Sequence, residues 1–107
     1  MNIFFHINPF QPSAYIASIA FIKLDDRVYE VGKMAVIPEY QGKGIGQRIL
    51  QYGLSFGQKQ GWKLLVIYSC LCLENALHIY KKFGFTEVEL EKENPYARVD
   101  VKLELQL

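Results

Sequence analysis

Met34-Ala35-Val36-Ile37-Pro38-Glu39-Tyr40-Gln41-Gly42-Lys43-Gly44-Ile45-Gly46-Gln47-Arg48-Ile49-Leu50 decides how the rest of the chain is read. An apolar run stops at a proline and a short polar link follows. Three glycines then alternate ahead of apolar residues at helical spacing. The order is that of a strand, a loop and the start of a helix. Glycines in such a loop permit sharp turns and leave backbone N–H groups uncovered. The first turn of the helix adds N–H groups without internal partners and a partial positive charge. The combination suits a phosphate, and Gln41, Lys43 and Arg48 supply further donors.

Spacing excludes two phosphate-loop patterns. A Walker loop needs Ser or Thr after its Gly-Lys, and here Gly44 follows Lys43. The dinucleotide pattern G-x-G-x-x-G fails from Gly42, where Gln47 takes the last position, and from Gly44, where Ile49 does.

Outward from the loop, the chain reads as an ordered series of short elements. Ile3-Phe4-Phe5-His6-Ile7 has strand character and is broken by Asn8-Pro9 and Gln11-Pro12. Tyr15 to Leu24 and Arg27 to Ile37 read as an antiparallel hairpin turned by Asp25-Asp26, with Gly32 marking a bulge in the second strand. The helix after the loop carries Ile45, Ile49, Tyr52 and Phe56 along one face, with Leu50 and Leu54 beside it, and stops at Gly61. Trp62 to Tyr68 is a buried strand, so strand, helix and strand imply a parallel pair with a right-handed crossover. A second helix runs from Glu74 to Phe83, with Ala76, Leu77, Tyr80 and Phe83 as its apolar face and Gly84 at its end. Thr86 to Leu90 and Ala97 to Leu105 complete the chain as strands around the polar turn Glu89 to Asn94 with Pro95. The fold class is α/β: a mixed sheet with an antiparallel N-terminal hairpin, a β-loop-α-β crossover, a second helix and a C-terminal β-hairpin.

At 107 residues the chain has the size of one domain, residues 1–107, and half of it is apolar. A formal net charge of +1 gives no reason to expect a nucleic-acid partner. No apolar run approaches the roughly 20 residues of a membrane span, and the start lacks the basic residues of a signal peptide. No membrane partner and a cytoplasmic location are expected. Cys70 and Cys72 stand too close for an ordinary disulfide framework and read as free thiols. His6 is isolated, so no metal site is expected.

Gln41-Gly42-Lys43-Gly44-Ile45-Gly46 after Val36-Ile37-Pro38 resembles the acetyl-CoA loop of the GCN5-related N-acetyltransferase (GNAT) superfamily, Arg/Gln-x-x-Gly-x-Gly/Ala. Gln41, Gly44 and Gly46 take its defining positions. Asn75-Ala76-Leu77-His78-Ile79-Tyr80-Lys81-Lys82-Phe83-Gly84-Phe85 is similar to the superfamily's Asn-x-Ala-x-x-x-Tyr-x-Lys-x-Gly-Phe region, with Ala76, Tyr80, Lys82, Gly84 and Phe85 in register. The family's asparagine usually lies seven residues before the tyrosine, where this chain has Leu73; Asn75 comes two residues later. The likeness runs from about Tyr15 to the C-terminus.

The resemblance implies an acetyl-CoA-dependent N-acetyltransferase acting on a small-molecule or peptide primary amine by direct attack in a ternary complex. The acetyl-CoA contacts it implies are Ala35, Val36, Gln41, Gly42, Lys43, Gly44, Ile45, Gly46, Gln47 and Asn75. It also implies a strand bulge that frees a backbone N–H near Ala35 or Val36 for the acetyl oxygen. Deprotonating an alkylamine of pKa about 10.4 at pH 7 costs about 4–5 kcal/mol, so a base is needed. The position of Glu30 resembles the one that holds the general base in histone-acetylating members; it also reads as a solvated or cross-strand-paired glutamate. Tyr80 matches the general acid that protonates the leaving thiolate; it also reads as a helix tyrosine with its ring in the core. Cys70 is a small apolar filler or a covalent acetyl carrier. His78 belongs to a polar helix face, and Phe4, Phe5, Phe10 and Tyr15 cap the core or line an acceptor pocket. The superfamily usually begins with a strand and two helices, whereas about a dozen residues precede this hairpin. An open acceptor site, one completed in a homodimer, or a non-catalytic CoA or acyl-CoA-binding module follow as expectations.

Overall fold

A computed structural model describes residues 3–7, 16–93 and 96–107. Its elements are β1 (Ile3–Ile7), β2 (Ala17–Asp25), β3 (Val28–Val36), a 3-10 turn (Pro38–Tyr40), α1 (Ile45–Gln60), β4 (Leu64–Ser69), α2 (Glu74–Lys82), β5 (Thr86–Val88) and β6 (Val101–Gln106). They build a six-stranded sheet in the order β1-β2-β3-β4-β6-β5. β3 and β4 run parallel and every other pair is antiparallel. The mixed sheet with its two helices is the expected α/β architecture.

The β2–β3 hairpin turns through Asp26 and Arg27. Asp25 Oδ1 accepts the Asp26 N–H at 2.8 Å, and Arg27 adopts φ 59°. The Arg27 carbonyl then accepts the Lys63 N–H at 2.8 Å, which fastens the turn to the start of β4. The register passes from Ala20 opposite Lys33 to Phe21 opposite Val31. Gly32 is therefore the extra residue of a bulge, as its isolation in a strand predicts. Ile22 lies across it: a Cβ on Gly32 would come within 2.4 Å of Ile22 Cδ1.

Both helices pack on one face of the sheet, where Phe21, Ile49, Leu50, Leu65 and Leu103 are fully buried. Each such side chain contributes about 1.5–3 kcal/mol by leaving water. The buried stripe of α1 differs from the sequence expectation. It is Ile45, Ile49, Leu50, Gly53, Leu54 and Gly57, while Tyr52 is 53% exposed. Aromatic rings of Phe21 in β2 and of Trp62 occupy the space instead; Trp62, expected to open the next strand, precedes β4, which begins at Leu64. A Cβ on Gly53 would lie 2.4 Å from Phe21 Cζ, and one on Gly57 2.5 Å from Trp62 Cε3. Phe56 and Tyr52 meet Phe5 of β1 edge-on at 4.8 and 5.1 Å, so Phe5 joins the aromatic cluster. Phe10, Tyr15 and the breaks at 8–12 lie outside the described residues, as do Asn94 and Pro95 of the last turn.

The C-terminal hairpin is shorter than its apolar alternation suggests. Residues 97–98 form a turn and β6 begins at Val101. Asp100 is drawn toward the end of β4 instead. Its N–H donates to Ser69 O at 3.1 Å and its Oδ1 accepts the Leu71 N–H at 2.7 Å. β5 ends at Val88, opposite Lys102.

Candidate active site

The parallel ladder between β3 and β4 covers three rungs, Val28 with Leu64, Tyr29 with Leu65 and Glu30 with Val66. Beyond them both strands continue without pairing, so a gap opens in the middle of the sheet. Ile37 N–H donates to Ile16 O at 2.9 Å on the β2 side. Antiparallel alternation then points the N–H groups of Met34 and Val36 at the gap and that of Ala35 at β2. The Val36 carbonyl faces the gap as well and accepts Gln41 Nε2 at 2.9 Å, which ties the glycine loop to the strand.

The loop enters α1 through two glycines at positive φ, Gly42 at 80° and Gly44 at 76°. Gly44 is the N-cap, no side chain caps the helix, and its first turn holds no acidic residue. The leading N–H groups of α1 are left for an anion. Val36, Gln41, Gly42, Gly44, Ile45, Gly46 and Gln47 line a groove of about 260 Å³ here. A wider groove of about 700 Å³ shares Val36, Gln41 and Ile79 with it and runs between Met34 and residues 72–76, Asn75 included. Uncovered amides at one end and the apolar floor of Met34, Val36 and Ile79 suit a diphosphate followed by an apolar-edged arm, so the donor set fits coenzyme A.

Five sequence-selected residues, Ala35, Lys43, Arg48, Glu30 and Tyr80, are outside the lining of these two grooves. Ala35 lines a separate cavity of about 240 Å³ with His6 and Ser18. Lys43 places Nζ 5.3 Å from the centre of the Tyr40 ring. Arg48 is exposed on α1, beside Gln51 and Tyr52 on one side and beside Gly44 and Gln47 at the rim of the loop on the other.

Glu30 occupies the last rung before the strands part and is 4% exposed. Its neighbours in sequence, Tyr29 and Val31, belong to the helix-side core, so its side chain is on the other face. Tyr96 donates its hydroxyl to Glu30 Oε2 at 2.8 Å. Burial pushes the Glu30 carboxyl above its usual range, and the Tyr96 hydrogen bond opposes part of that rise. Tyr96, desolvated and facing the carboxylate, is pushed up to about 12 and remains a donor. Glu30 is thus neither solvated nor paired across the strands but a buried carboxylate held by a phenol.

The same face carries residues that the sequence reading did not select. Tyr68 shares its hydroxyl proton between Glu91 Oε2 at 3.1 Å and Oε1 at 3.2 Å, and its ring stands edge-on to Tyr96 at 5.6 Å. Lys102 pairs with Glu91, and Glu104 Oε2 lies 3.8 Å from its Nζ. The polar half of the β6 alternation was the available signal for Lys102 and Glu104. Nothing local marks Tyr96, which reaches Glu30 across 66 positions of sequence.

Tyr80 is half-buried on α2, its ring 6.0 Å from Phe85 and its pKa raised by burial. Its hydroxyl has no hydrogen-bond partner among the described residues. Lys82 Nζ reaches Gln47 Oε1 at 3.4 Å and joins the end of α2 to the start of α1. His78 is exposed, as its polar helix face implies. Cys70 and Cys72 correct the free-thiol expectation, because they form a disulfide. The turn after β4, closed by Leu73 N–H to Cys70 O at 3.0 Å, brings their Cα atoms to 5.1 Å, within bonding range.

Residues 11–87 match the family model described as the Acetyltransferase (GNAT) domain. The N-alpha-acetyltransferase RimI of Mycobacterium tuberculosis is 38% identical over 73 residues, which cover 66% of this chain and 42% of that protein. The chain spans less than half the length of the curated relatives it matches. The ribosomal-protein-S18-alanine N-acetyltransferase of Escherichia coli superposes with a TM-score of 0.82 at 21% identity, over 98% of this chain and 68% of that one. A Bacillus subtilis acetyltransferase in complex with CoA superposes at 0.75 and 22% identity, over 91% and 72%. With the family model covering most of its length, the chain belongs to the GNAT acetyltransferase family.

Proposed function

We propose that the protein is an acetyl-CoA-dependent N-acetyltransferase that passes the acetyl group to a primary amine by direct attack in a ternary complex. One observation carries the reading. The gap between β3 and β4 has an uncapped helix start and groove on one side and a buried carboxylate at its closed end on the other. The donor is held by the first-turn amides of α1 and by Gln41-Gly42, with Met34, Val36 and Ile79 along its arm. When bound, it supplies an activated thioester carbonyl.

Glu30 takes the ammonium proton of the acceptor. Its raised pKa narrows the mismatch with an alkylamine, which makes the transfer less uphill. The Val36 N–H faces the gap and stabilises the carbonyl oxygen as it gains charge; a donor of this kind contributes about 3–4 kcal/mol. Tyr80 stays protonated at neutral pH and gives its proton to the departing sulfur, and the second proton that the nitrogen sheds as the amide forms restores the phenol. A peptide N-terminus is the favoured class of acceptor, on the strength of the relatives named as N-alpha- and alanine N-acetyltransferases.

The test is release of free thiol from acetyl-CoA with trialanine, a polyamine and a lysine-containing peptide, each with wild type and Glu30→Gln. Turnover on at least one amine, lowered about 100-fold or more by the substitution, is expected. Thermal stabilisation by CoA with no turnover on any amine would favour a CoA-binding module instead.

A further inference from the structure

The segment between β5 and β6 is fastened at three places around the end of β4. Glu91 accepts from Tyr68 and Lys102, Tyr96 donates to Glu30, and Asp100 binds the backbone of Ser69 and Leu71. Tyr96 therefore approaches Glu30 from a segment whose two ends are held. Its hydroxyl engages Oε2, while Oε1 has no partner among the described residues. No buried side-chain oxygen in the described structure lacks a partner, so Oε1 keeps an opening to solvent.

We propose that Tyr96 is the positioning residue for Glu30: it pins one carboxylate oxygen and leaves the other free for the acceptor amine. The proposal rests on Glu30 as the base. No other hydrogen bond to the carboxylate competes for this role among the described residues. β2 sets Ile22 beside Glu30, β4 sets Val66 there with Tyr68 beyond it, and Lys33 is the next charge along β3. From β6, Glu104 lies opposite Val66 and Lys102 opposite Tyr68, and Lys102 is engaged by Glu91. The Tyr96 bond to the charged form works against the burial that favours the neutral form, so losing it makes the carboxylate harder to ionise.

The experiment follows the side-chain carboxyl carbon of Glu30 by 13C NMR titration in wild type and Tyr96→Phe, with Glu30→Gln for assignment. In parallel, the pH profile of kcat/KM is measured with acetyl-CoA and trialanine. Tyr96→Phe should raise the titration midpoint by about one unit and carry the acid limb of the profile up with it. The alkaline plateau should fall as well, by about tenfold, because the unpinned carboxylate loses its orientation toward the amine, while the melting temperature stays near that of wild type. A midpoint and limb that do not move, with Glu30→Gln inactive, overturn the positioning role and leave the base standing. A fully active Glu30→Gln overturns the base reading, and the proposal with it. A lowered plateau and melting temperature with an unmoved limb marks a merely structural tyrosine and also overturns it.

Discussion

Gly46→Ala separates ligand binding from folding in one variant. Gly46 is the second residue of α1 and helical, and it lines the groove beside Val36. A Cβ there would lie 3.8 Å from Val36 Cγ2 and 4.0 Å from Met34 Cε, ordinary contact distances. The protein has room for the methyl group, and the helix favours it. Gly→Ala at a compatible position stabilises by about 0.4–1 kcal/mol, chiefly by restricting the unfolded chain. At about 4–8 °C per kcal/mol for a chain of this size, the ligand-free Tm should rise by about 2–8 °C. The loop pattern accepts Ala as well as Gly at this position, so the same methyl leaves the first-turn amides open to a diphosphate. With CoA at about 100 times its Kd, the ligand adds about 2.7 kcal/mol to wild type and variant alike. Melting curves with and without CoA should therefore show a higher starting Tm and an unchanged ligand shift. A lower ligand-free Tm would refute the packing argument. A CoA shift cut by half or more would refute the placement of the methyl clear of the phosphates.

Three further outcomes follow from the same geometry. Tyr80→Phe should lower turnover about 100-fold while leaving the CoA-induced melting shift unchanged; equal loss of both, in the same pair of assays, removes the acid assignment. Because the folded Glu30 pKa is raised, its stabilising contribution is complete below the unfolded value of about 4.3 and is lost as pH rises through the folded value. Glu30→Gln, neutral throughout, should thus melt above wild type at pH 8, with the difference closing by pH 4 in thermal scans. Gly53→Ala would bring its Cβ within 2.4 Å of Phe21 Cζ and should destabilise by about 1–3 kcal/mol in urea unfolding, with CoA affinity unaltered in the folded fraction.

Local chemistry explains which parts of the structure were legible. The glycine loop reads directly because positive φ at Gly42 and Gly44 and a helix start without side-chain caps are properties of adjacent residues. Gly32 reads as a bulge for the same reason. The buried stripe of α1 was misread because periodicity counts apolar side chains, whereas Phe21 and Trp62 need the absence of side chains at Gly53 and Gly57. The last strand starts later than its sequence suggests because Asp100 is claimed by Ser69 and Leu71, partners about 30 residues earlier. Glu30 was legible as a candidate but not as a buried one, since what buries and holds it arrives from Val66, Ile22 and Tyr96. Long-range pairing of this kind leaves no local pattern.

The position of Glu30 is the point at which folding and chemistry disagree. Ile22 and Val66 flank it, Tyr29 and Val31 on either side along β3 are buried apolar residues, and an apolar side chain would fit the strand without desolvating a charge. Burial of an ionised carboxylate is unfavourable unless hydrogen bonds satisfy it, and here one oxygen is bonded and the other is left accessible. A purely structural carboxylate would gain by having both oxygens satisfied. A proton acceptor must keep one free, and it gains from the raised pKa that incomplete solvation produces. On the proposed reading of Glu30 as the base, the choice of glutamate at the last rung before the gap follows from the second requirement and runs against the first. The extra stability of Glu30→Gln at pH 8 would then measure how much stability the fold forgoes to keep that oxygen free.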